Sequence, residues 1–381
     1  MPEKVLHVIT ALNLGGAEVM LHSLLSEMDR GRFEPVVVSL VGDGPVRERI
    51  EGLGVPVHGL GMRWGFPTPA TVRRLIALCR RLKPDLMQGW MYHGNLAATL
   101  AAATSPGRVP LVWGIHHSLY DVRAEKVLTA ALIRLGAPLS AYPRRIVYVS
   151  RISADQHEAI GYRKDRRVFI PNGFDHERLR PDPKAYVGVR AELGLGPNTP
   201  LVGSIARYHP MKDHANFLSA AGLLAERDGD THFLLVGPGV DRSNEELNAR
   251  ISASGLGERV HLLGQRSDAP RLLAALDVAS SSSAWGEAFP IVIGEAMACG
   301  VPCVVTDVGD SAWLVGDTGT VVPPRDPAAL AEAWRGLLSA GQEARAALGR
   351  GARERVVEEF ALPEIARRYE ELYARLTGAA S

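Results

Sequence analysis

GEAFPIVIGEAMACGVPCVVT, residues 286–306, holds two glutamates, Glu287 and Glu295, eight positions apart. Glu287 follows the serines 280–283 in a loop, and Glu295 is expected on the first turn of a helix over residues 294–298. That helix should end at Cys299 and Gly300, and residues 302–306 predict a buried strand. A carboxylate near a helix start is electrostatically favoured, and an ionised carboxylate only accepts hydrogen bonds. The stretch therefore predicts a helix, a strand and two acceptors for the hydroxyl groups of a ligand.

The composition predicts a soluble protein with two domains. A chain of 381 residues exceeds what one hydrophobic core normally covers. Hydrophobic residues make up 46% and charged residues 22%, and both values are ordinary for globular proteins. Lysine and arginine total 43 against 42 aspartates and glutamates, and this balance argues against nucleic acid as a partner.

The cysteines and the N-terminus favour a cytosolic protein. The three cysteines, Cys79, Cys299 and Cys303, are odd in number and widely spaced, as in reduced cytosolic proteins. No second His or Cys pair accompanies Cys299 and Cys303, so buried packing is favoured over a metal site. The first residues, MPEKVLHVIT, predict a strand and not a signal peptide, and no apolar run reaches the ~20 residues of a membrane helix. We expect the protein in the cytoplasm, either free or peripheral on the inner face of the membrane.

Two sets of short apolar segments alternate with helical patterns along the chain. Val and Ile dominate most of these segments with little polar alternation, which is typical of strands covered on both faces. The predicted strands are residues 5–10, 35–40, 55–59, 85–89, 111–115, 146–150 and 168–171 in the first set, and 201–206, 232–237, 260–263, 278–280, 303–306 and 320–322 in the second. Helices between them, such as 17–28 and 71–82, complete the pattern of parallel α/β sheets.

A region rich in proline and glycine, residues 181–200, separates the two sets and predicts a linker. We therefore place an N-terminal Rossmann-like domain at residues 1–183 and a C-terminal one at residues 184–361. A last helix, residues 362–376, carries apolar side chains along one side. Because ligands of open α/β sheets bind beyond the carboxyl ends of the strands, the loops that follow the strands should carry the chemistry.

In the first half, three such loops hold candidate site residues. Gly15 and Gly16 precede a helix, where glycine lets a ligand approach the backbone and the helix start favours an anion, although a plain tight turn explains the pair equally well. The full dinucleotide fingerprint GxGxxG is absent. His116 and His117 follow a buried strand, and two adjacent histidines there are not expected to be core residues together. Asn172 begins an Asn-Gly turn, for which positive φ is expected.

In the second half, Arg207 and Lys212 lie five positions apart in a loop that leads into a helix. Two cations so placed can clamp a diphosphate and hold its charge as it leaves. Taken alone, two solvated surface charges are the simpler interpretation. Gly264 and Gln265 follow the strand at 260–263.

Together these motifs resemble the retaining family-four glycosyltransferases of the GT-B fold. The resemblance covers nearly the whole chain and is more specific in the second half. It implies an α/β architecture of two Rossmann-like, doubly wound domains that face each other across a cleft. The last helix, at about residues 362–381, would cross back to the N-terminal, acceptor-binding domain. The C-terminal domain would bind a nucleotide-diphosphate sugar.

The resemblance also implies a role for each motif. Arg207 and Lys212 would neutralise the leaving diphosphate, and Glu295 would accept hydrogen bonds from the ribose hydroxyls. Glu287 and His117 would orient the donor sugar. The neighbouring His116 fits the family pattern less well than His117, and Asn172 would lie beside the cleft. Further donor contacts are implied for Gly15, Gly16, Gly264, Gln265, Ala288, Phe289 and Pro290.

Two positions depart from the family pattern, and at the first of them, Ala288, the methyl group would slightly narrow the donor pocket. Ala288 replaces a common glycine, and Ile291 replaces a frequent polar residue. Neither change removes a functional group from the motif. No Asp-x-Asp cation site is evident, so cationic side chains would replace a metal, and neither a metal nor another cofactor is expected.

The implied reaction moves a sugar from a UDP- or GDP-sugar to a hydroxyl of a sugar, a lipid-linked or a small-molecule acceptor, as in polysaccharide or glycolipid biosynthesis. Two alternatives remain open, a nucleotide-sugar epimerase of the GT-B fold and a non-catalytic GT-B binding protein. Basic clusters in the first half, such as those at residues 73–74 and 80–83, either attract anionic lipid or are ordinary solvated helix faces.

Overall fold

A computed structural model, which describes residues 1–62 and 68–378, divides the chain into two compact units. Unit 1 comprises Met1–Gly173 and Leu362–Ser381, and unit 2 comprises Phe174–Ala361. Unit 2 thus begins before the expected boundary at residue 183, and the expected linker lies within it. Phe174 explains the early start, because its ring stacks on Phe289 at 6.1 Å and its amide donates to Phe360 O at 2.8 Å.

Unit 1 is built on a parallel sheet with helices between its strands. Its strands are β1 (Glu3–Ile9), β2 (Phe33–Ser39), β3 (Val57–Gly59), β4 (Leu86–Trp90), β5 (Leu111–Ile115), β6 (Arg145–Tyr148) and β7 (Arg167–Phe169). Its helices include α1 (Gly16–Glu27), α2 (Pro45–Gly52), α3 (Pro69–Leu82), α4 (Met91–Thr104), α5 (Val127–Leu139) and α6 (Arg151–Ala159). Within the described residues the strand order is β3-β2-β1-β4-β5-β6-β7, so the order reverses between β1 and β4.

Unit 2 repeats the architecture with its own sheet. Its strands are β8 (Leu201–Ile205), β9 (His232–Val236), β10 (Val260–Leu262), β11 (Val278–Ser281), β12 (Cys303–Thr306) and β13 (Gly319–Val322). Its helices include α7 (Pro183–Glu192), α8 (His214–Ala225), α9 (Glu245–Ala253), α10 (Ala269–Ala274), α11 (Ile291–Ala298), α12 (Ser311–Val315), α13 (Pro327–Ser339) and α14 (Gly341–Glu359). The strand order among the described residues is β10-β9-β8-β11-β12-β13, which reverses between β8 and β11.

Both sheets confirm the predicted strands, whose ends lie within two residues of the observed ones. The apolar runs are explained by burial on both faces, since every residue of β4 and of β5 is buried. The expected linker is a packed part of unit 2. Arg190 on α7 is 1% exposed and forms an ion pair with the buried Asp277. No helix among the described residues is long and apolar enough to cross a membrane.

The last helix, α15 (Leu362–Thr377), packs in unit 1, and residues 379–381 of the predicted helix lie outside the described residues. Ile365, Tyr369 and Tyr373 are fully buried in the core of that unit, and Tyr373 donates a hydrogen bond to Gln88 on β4. A Cβ on Gly173 would lie 2.9 Å from Leu362.

The expectation of positive φ in the turn at residues 172–173 is wrong. Neither Asn172 nor Gly173 has positive φ. Glycine is needed at position 173 because α15 passes too close for a side chain, and not because of its own backbone conformation.

Replacing Ile365 by alanine tests the anchoring of α15. The change leaves a cavity in the core of unit 1, so we expect the free energy of unfolding of that unit to fall by about 2–4 kcal/mol. Urea denaturation followed by circular dichroism measures it. Arg367→Ala is the control on the exposed face of the same helix, where its solvated ion pairs with Glu364 and Glu371 contribute little to stability. Equal losses in the two variants would contradict anchoring by core packing.

Candidate functional site

In unit 2, predicted site residues lie in the loops that leave β8 and β11, the two strands between which the order reverses. A reversal of strand order opens a crevice beyond the carboxyl ends of the strands, where ligands of such sheets bind. Hydrogen bonds tie the two loops together: Ser282 Oγ donates to Lys212 O at 2.8 Å, and Ala284 N donates to Met211 O at 2.8 Å. The loops therefore form one surface.

Lys212 and Glu287 meet across these loops. Lys212 Nζ donates to Glu287 Oε1, and Ser283 Oγ donates to the same oxygen at 2.6 Å. Glu287 is 7% exposed, and an ionised carboxylate at such a depth requires a cation and a donor of this kind. Lys212 is therefore a partly buried, paired cation and not a solvated surface charge.

The loop after β12 holds the backbone of Glu287 from the other side. Asp310 N donates to Ala288 O at 3.1 Å, and Gly309, with φ +61°, lies so close to Glu287 that a side chain there would strike its carbonyl group. Ala288 and Pro290 are buried.

The side chain of Phe289 belongs to the core of unit 2. Its ring packs with those of Phe174, Trp313 and Phe360. A ligand at residues 288–290 would therefore meet the backbone and not the phenyl ring.

Arg207 is exposed and forms no ion pair within the residues that the structure describes. Its loop adjoins the ends of the next two strands, because Ala206 N donates to Val236 O at 2.8 Å and Gly237 N donates to Gly264 O at 2.8 Å. Gln265 is exposed beside them. Arg207, Gly264 and Gln265 thus lie along the same sheet edge, but Arg207 makes no ion pair with Glu287.

Glu295 lies on α11, and its predicted place on the first turn is wrong. The helix begins at Ile291, directly after Pro290, so Glu295 falls on the second turn. Gly294, taken as the helix start, is instead an interior position where the ring of Phe174 occupies the space of a Cβ. Burial raises the pKa of Glu295 to about 7, and the charge of Arg178 offsets only part of that rise. Some of its surface remains accessible.

In unit 1, Gly15 and Gly16 lie after β1, beside the strand-order reversal between β1 and β4. Gly15 caps α1 with extended backbone, and Gly16 is its exposed first residue. A Cβ on Gly15 would collide with the carboxylate of Glu18, whose pKa is raised by burial. This neighbouring acid limits how much negative charge the glycine turn can bind.

His116 is half-buried, and both nitrogens of its ring are buried. It stacks on Trp90 with centroids 5.0 Å apart, and burial lowers its pKa to about 4. The side chain of Asn172 lies close enough to His116 to offset part of the decrease in its pKa. Among the described residues, however, neither ring nitrogen of His116 nor Asn172 Oδ1 has a partner in full hydrogen-bond geometry. The two predicted residues are therefore neighbours.

His117 is held by side chains from three directions. Its Nδ1 lies 3.1 Å from Tyr92 Oη, its Nε2 lies 3.4 Å from Glu125 Oε1, and its carbonyl accepts from Ser153 Oγ at 2.5 Å. Burial lowers the pKa of His117, and the charge of Glu125 raises it.

Sequence reasoning missed Ser283 and Tyr92 as parts of these arrangements. Ser283 belongs to the serine run 280–283, and such a run by itself indicates only a loop. Tyr92 lies 25 positions before His117, and only the adjacency of β4 and β5 brings the two together. Among the described residues there is no group of three or more side chains that could hold a metal ion. The three cysteines are free and buried, as predicted.

Comparisons with known proteins identify the family. Residues 14–178 match the family model Glycosyltransferase Family 4, and residues 199–340 match Glycosyl transferases group 1. The chain belongs to the family-four glycosyltransferases. This glycosyltransferase has the GT-B fold, as its structural neighbours do.

Similar proteins span most of the length of this glycosyltransferase. A putative glycosyltransferase of Bacillus subtilis, EpsF, is 27% identical over 80% of this chain and 79% of its own. The lipopolysaccharide core biosynthesis mannosyltransferase LpsB of Rhizobium meliloti is 28% identical over 91% of this chain and 95% of its own. Anabaena HepE, solved in complex with UDP and glucose, superposes with a TM-score of 0.86 at 25% identity over 98% of this chain and 100% of its own.

The raised pKa of Glu295 predicts a stability that depends on pH. The pKa of Glu295 is higher in the folded chain than in the unfolded chain, so the unfolded chain loses this proton first as the pH rises. The free energy of unfolding therefore decreases between the pKa of the unfolded chain and a pH of about 7. We expect Glu295→Gln to stabilise the ligand-free protein at pH 8 by on the order of 3 kcal/mol and to have little effect at pH 5. Thermal unfolding at both pH values measures this. A stabilisation that is equal at the two pH values would contradict it.

Proposed function

We propose that this glycosyltransferase transfers a sugar from a UDP-sugar to a hydroxyl acceptor and retains the anomeric configuration. The Lys212–Glu287 ion pair at the strand-order reversal of unit 2 is the observation that carries the proposal. It joins a cation to a buried carboxylate that would bind the donor sugar, and Arg207 lies in the same loop as Lys212. HepE, which has been solved with UDP and with UDP-glucose, supports a uridine donor.

Unit 2 would bind the nucleotide part of the donor. Arg207, exposed and without an ion pair among the described residues, is available for a diphosphate. Lys212 would share its charge between that diphosphate and Glu287, so anion binding weakens its hold on Glu287 and frees the carboxylate for a sugar hydroxyl. Glu295 would accept from ribose hydroxyls in its ionised form.

Retention would follow from attack on the face from which the diphosphate leaves. A donor phosphate oxygen would take the proton of the acceptor hydroxyl, so no protein nucleophile is needed. Arg207 and Lys212 would stabilise the charge that develops on the leaving diphosphate, which is the task of a metal in other transferases.

The acceptor would be a growing glycan, lipid-linked or soluble, in polysaccharide or glycolipid assembly. LpsB, named for lipopolysaccharide core biosynthesis, supports this context. The exposed arginines of α3, at positions 73, 74, 80 and 81, could hold unit 1 at an anionic membrane surface. The protein would then work as a cytoplasmic, peripheral enzyme.

A nucleotide screen tests the donor. UDP, GDP and ADP are added separately to the purified protein, and the unfolding temperature is measured. A ligand that binds only the native state raises this temperature, so we expect UDP to raise it most. A larger shift with GDP or ADP would overturn the uridine donor and leave the transferase assignment intact.

Charge removal in unit 2 tests the nucleotide site. Arg207→Ala and Lys212→Gln should each weaken UDP binding by about tenfold or more, because a charge-assisted hydrogen bond contributes about 1.5–3 kcal/mol. Isothermal titration calorimetry gives the dissociation constants. Arg335→Ala on α13, an exposed arginine paired with Glu332, is the matched control and should bind UDP as the unchanged protein does. Unaltered affinity in the first two variants would refute the proposed diphosphate clamp.

The stereochemical outcome is a separate prediction. With an α-linked UDP-sugar as donor, proton NMR of the fresh product should show an α-linkage. A β-linkage would refute retention. A new sugar isomer formed from the donor without any acceptor would favour an epimerase.

A further inference from the structure

Behind His117, in unit 1, lies a chain of side-chain hydrogen bonds. Tyr92 Oη, on α4, lies 3.1 Å from His117 Nδ1 and 2.9 Å from His157 Nε2. His157 Nδ1, on α6, lies 2.7 Å from the carbonyl oxygen of Ser153. At the other end, Glu125 Oε1 lies 3.4 Å from His117 Nε2. The chain therefore runs from a backbone carbonyl through two imidazoles and a phenol to a carboxylate.

The backbone carbonyl fixes the direction of every bond in this chain. A carbonyl only accepts, so His157 Nδ1 must carry a proton. His157 is fully buried and burial lowers its pKa to about 4, so it is neutral and its Nε2 is an acceptor. Tyr92 must then donate its single proton to His157. Its oxygen is left to accept from His117, whose proton must lie on Nδ1.

The hydroxyl groups of Ser153 and Tyr92 do not change this assignment. Ser153 Oγ could otherwise bond His157, but it donates to His117 O at 2.5 Å. Tyr92 keeps its proton, because burial first, and then the charges of Tyr162, Glu125 and Tyr148, raise its pKa well above the usual range. Tyr148 and Tyr162 also flank the ring of His157. Between Ser153 O and His117 Nδ1, no other assignment leaves each bond with one donor and one acceptor.

With Nδ1 protonated, a neutral His117 has a bare Nε2. This atom faces the Glu125 carboxylate, which cannot donate when ionised. Protonation of Nε2 would produce an imidazolium paired with Glu125, and loss of that proton would leave an acceptor. The side chain of His117 is 30% exposed, so Nε2 is within reach of a ligand.

Helix α6 holds this arrangement in place. Ser153, Gln156 and His157 lie at positions i, i+3 and i+4 and so share one face of the helix. Gln156 Oε1 accepts from Ser118 Oγ and Leu119 N, both at 2.8 Å, and so fixes the chain that follows His117. One helix face thus positions both the backbone and the ring of His117.

We propose that Tyr92 and His157 are positioning residues that hold His117 as the Nδ1–H tautomer, and that Glu125 sets the charge of its Nε2. His117 then offers Nε2 as a hydrogen-bond acceptor to a hydroxyl of the donor sugar. This step rests on the proposed function, but the tautomer itself does not.

Imidazole nitrogen NMR tests the tautomer without any substrate. In protein labelled with ¹⁵N-histidine, long-range ¹H–¹⁵N spectra distinguish a protonated from a bare ring nitrogen. The His117 signals are identified by their loss in His117→Asn. We expect a protonated Nδ1 and a bare Nε2 above the pKa of His117. A protonated Nε2 with a bare Nδ1 in the unchanged protein would overturn the proposal.

A pair of variants at His157 separates positioning from packing. His157→Gln keeps an amide donor for Ser153 O and a carbonyl acceptor for Tyr92, whereas His157→Leu keeps only bulk. We expect the Nδ1–H tautomer of His117 to persist in the Gln variant and to be lost in the Leu variant and in Tyr92→Phe. If all three variants keep the Nδ1–H tautomer, the role of the hydrogen-bond chain is overturned. The circular dichroism spectrum of each variant should be unchanged, which shows that the fold is intact.

Kinetics then connect the tautomer to sugar transfer. For Tyr92→Phe we expect kcat/KM for the donor to fall by about tenfold, and His157→Gln should retain most of it. Protonation of Nε2 removes the acceptor, so kcat/KM should fall at acid pH. Glu125→Gln removes the charge that raises the pKa of His117, so this acid limb should move to lower pH.

The outcomes distinguish the two proposals. If the tautomer of His117 changes in Tyr92→Phe but the acid limb of kcat/KM does not move in Glu125→Gln, the role of Glu125 is overturned. Lack of transfer from any nucleotide sugar, with the tautomer as expected, would count against the proposed function alone.

Discussion

The ion pair between Lys212 and Glu287 joins the loops on either side of the strand-order reversal in unit 2, and the rest of the site depends on it. A carboxylate buried this deeply is costly unless a cation and a donor compensate it. Lys212 and Ser283 both converge on one oxygen of Glu287 and supply that compensation. The pair therefore joins the same two loops that the hydrogen bonds of Ser282 and Ala284 connect. A diphosphate that draws on the charge of Lys212 would alter this balance directly.

The two units hold their candidate site residues in place by different interactions. Each sheet reverses its strand order, and polar side chains of unit 2 lie in the loops beside that reversal, whereas His117 of unit 1 follows β5, one strand away from it. Unit 2 uses a charge pair there, and charge suits an anionic ligand. Unit 1 uses a directed chain of neutral groups around His117, which fixes which nitrogen carries a proton. A neutral chain of this kind suits a hydroxyl ligand, which can donate to a bare nitrogen.

Several groups of the site are kept at a cost to the stability of the fold. Glu295 is buried enough for its pKa to rise to about 7, although it forms no ion pair among the described residues. His116 lies with both ring nitrogens unsatisfied against Trp90. Buried polar groups without partners cost about 1–3 kcal/mol each, and such sites are where ligand binding supplies the missing partner.

The sequence by itself determined the two parallel sheets, the last helix and the loops in which site residues lie. Strands that are buried on both faces appear in the sequence as short local runs of Val and Ile, so they can be recognised without the tertiary structure. Local patterns also singled out Glu287 and Lys212, but only the tertiary structure decided that they form a pair. It moved Glu295 to the second turn of α11, because Gly294 accommodates Phe174 and does not start the helix. It placed residues 181–200 inside unit 2 through buried contacts such as that of Arg190 with Asp277. It also linked Tyr92 and His157 to His117. Such partners are distant in sequence, and which distant residues meet is set by strand order and helix packing, which leave no local signal.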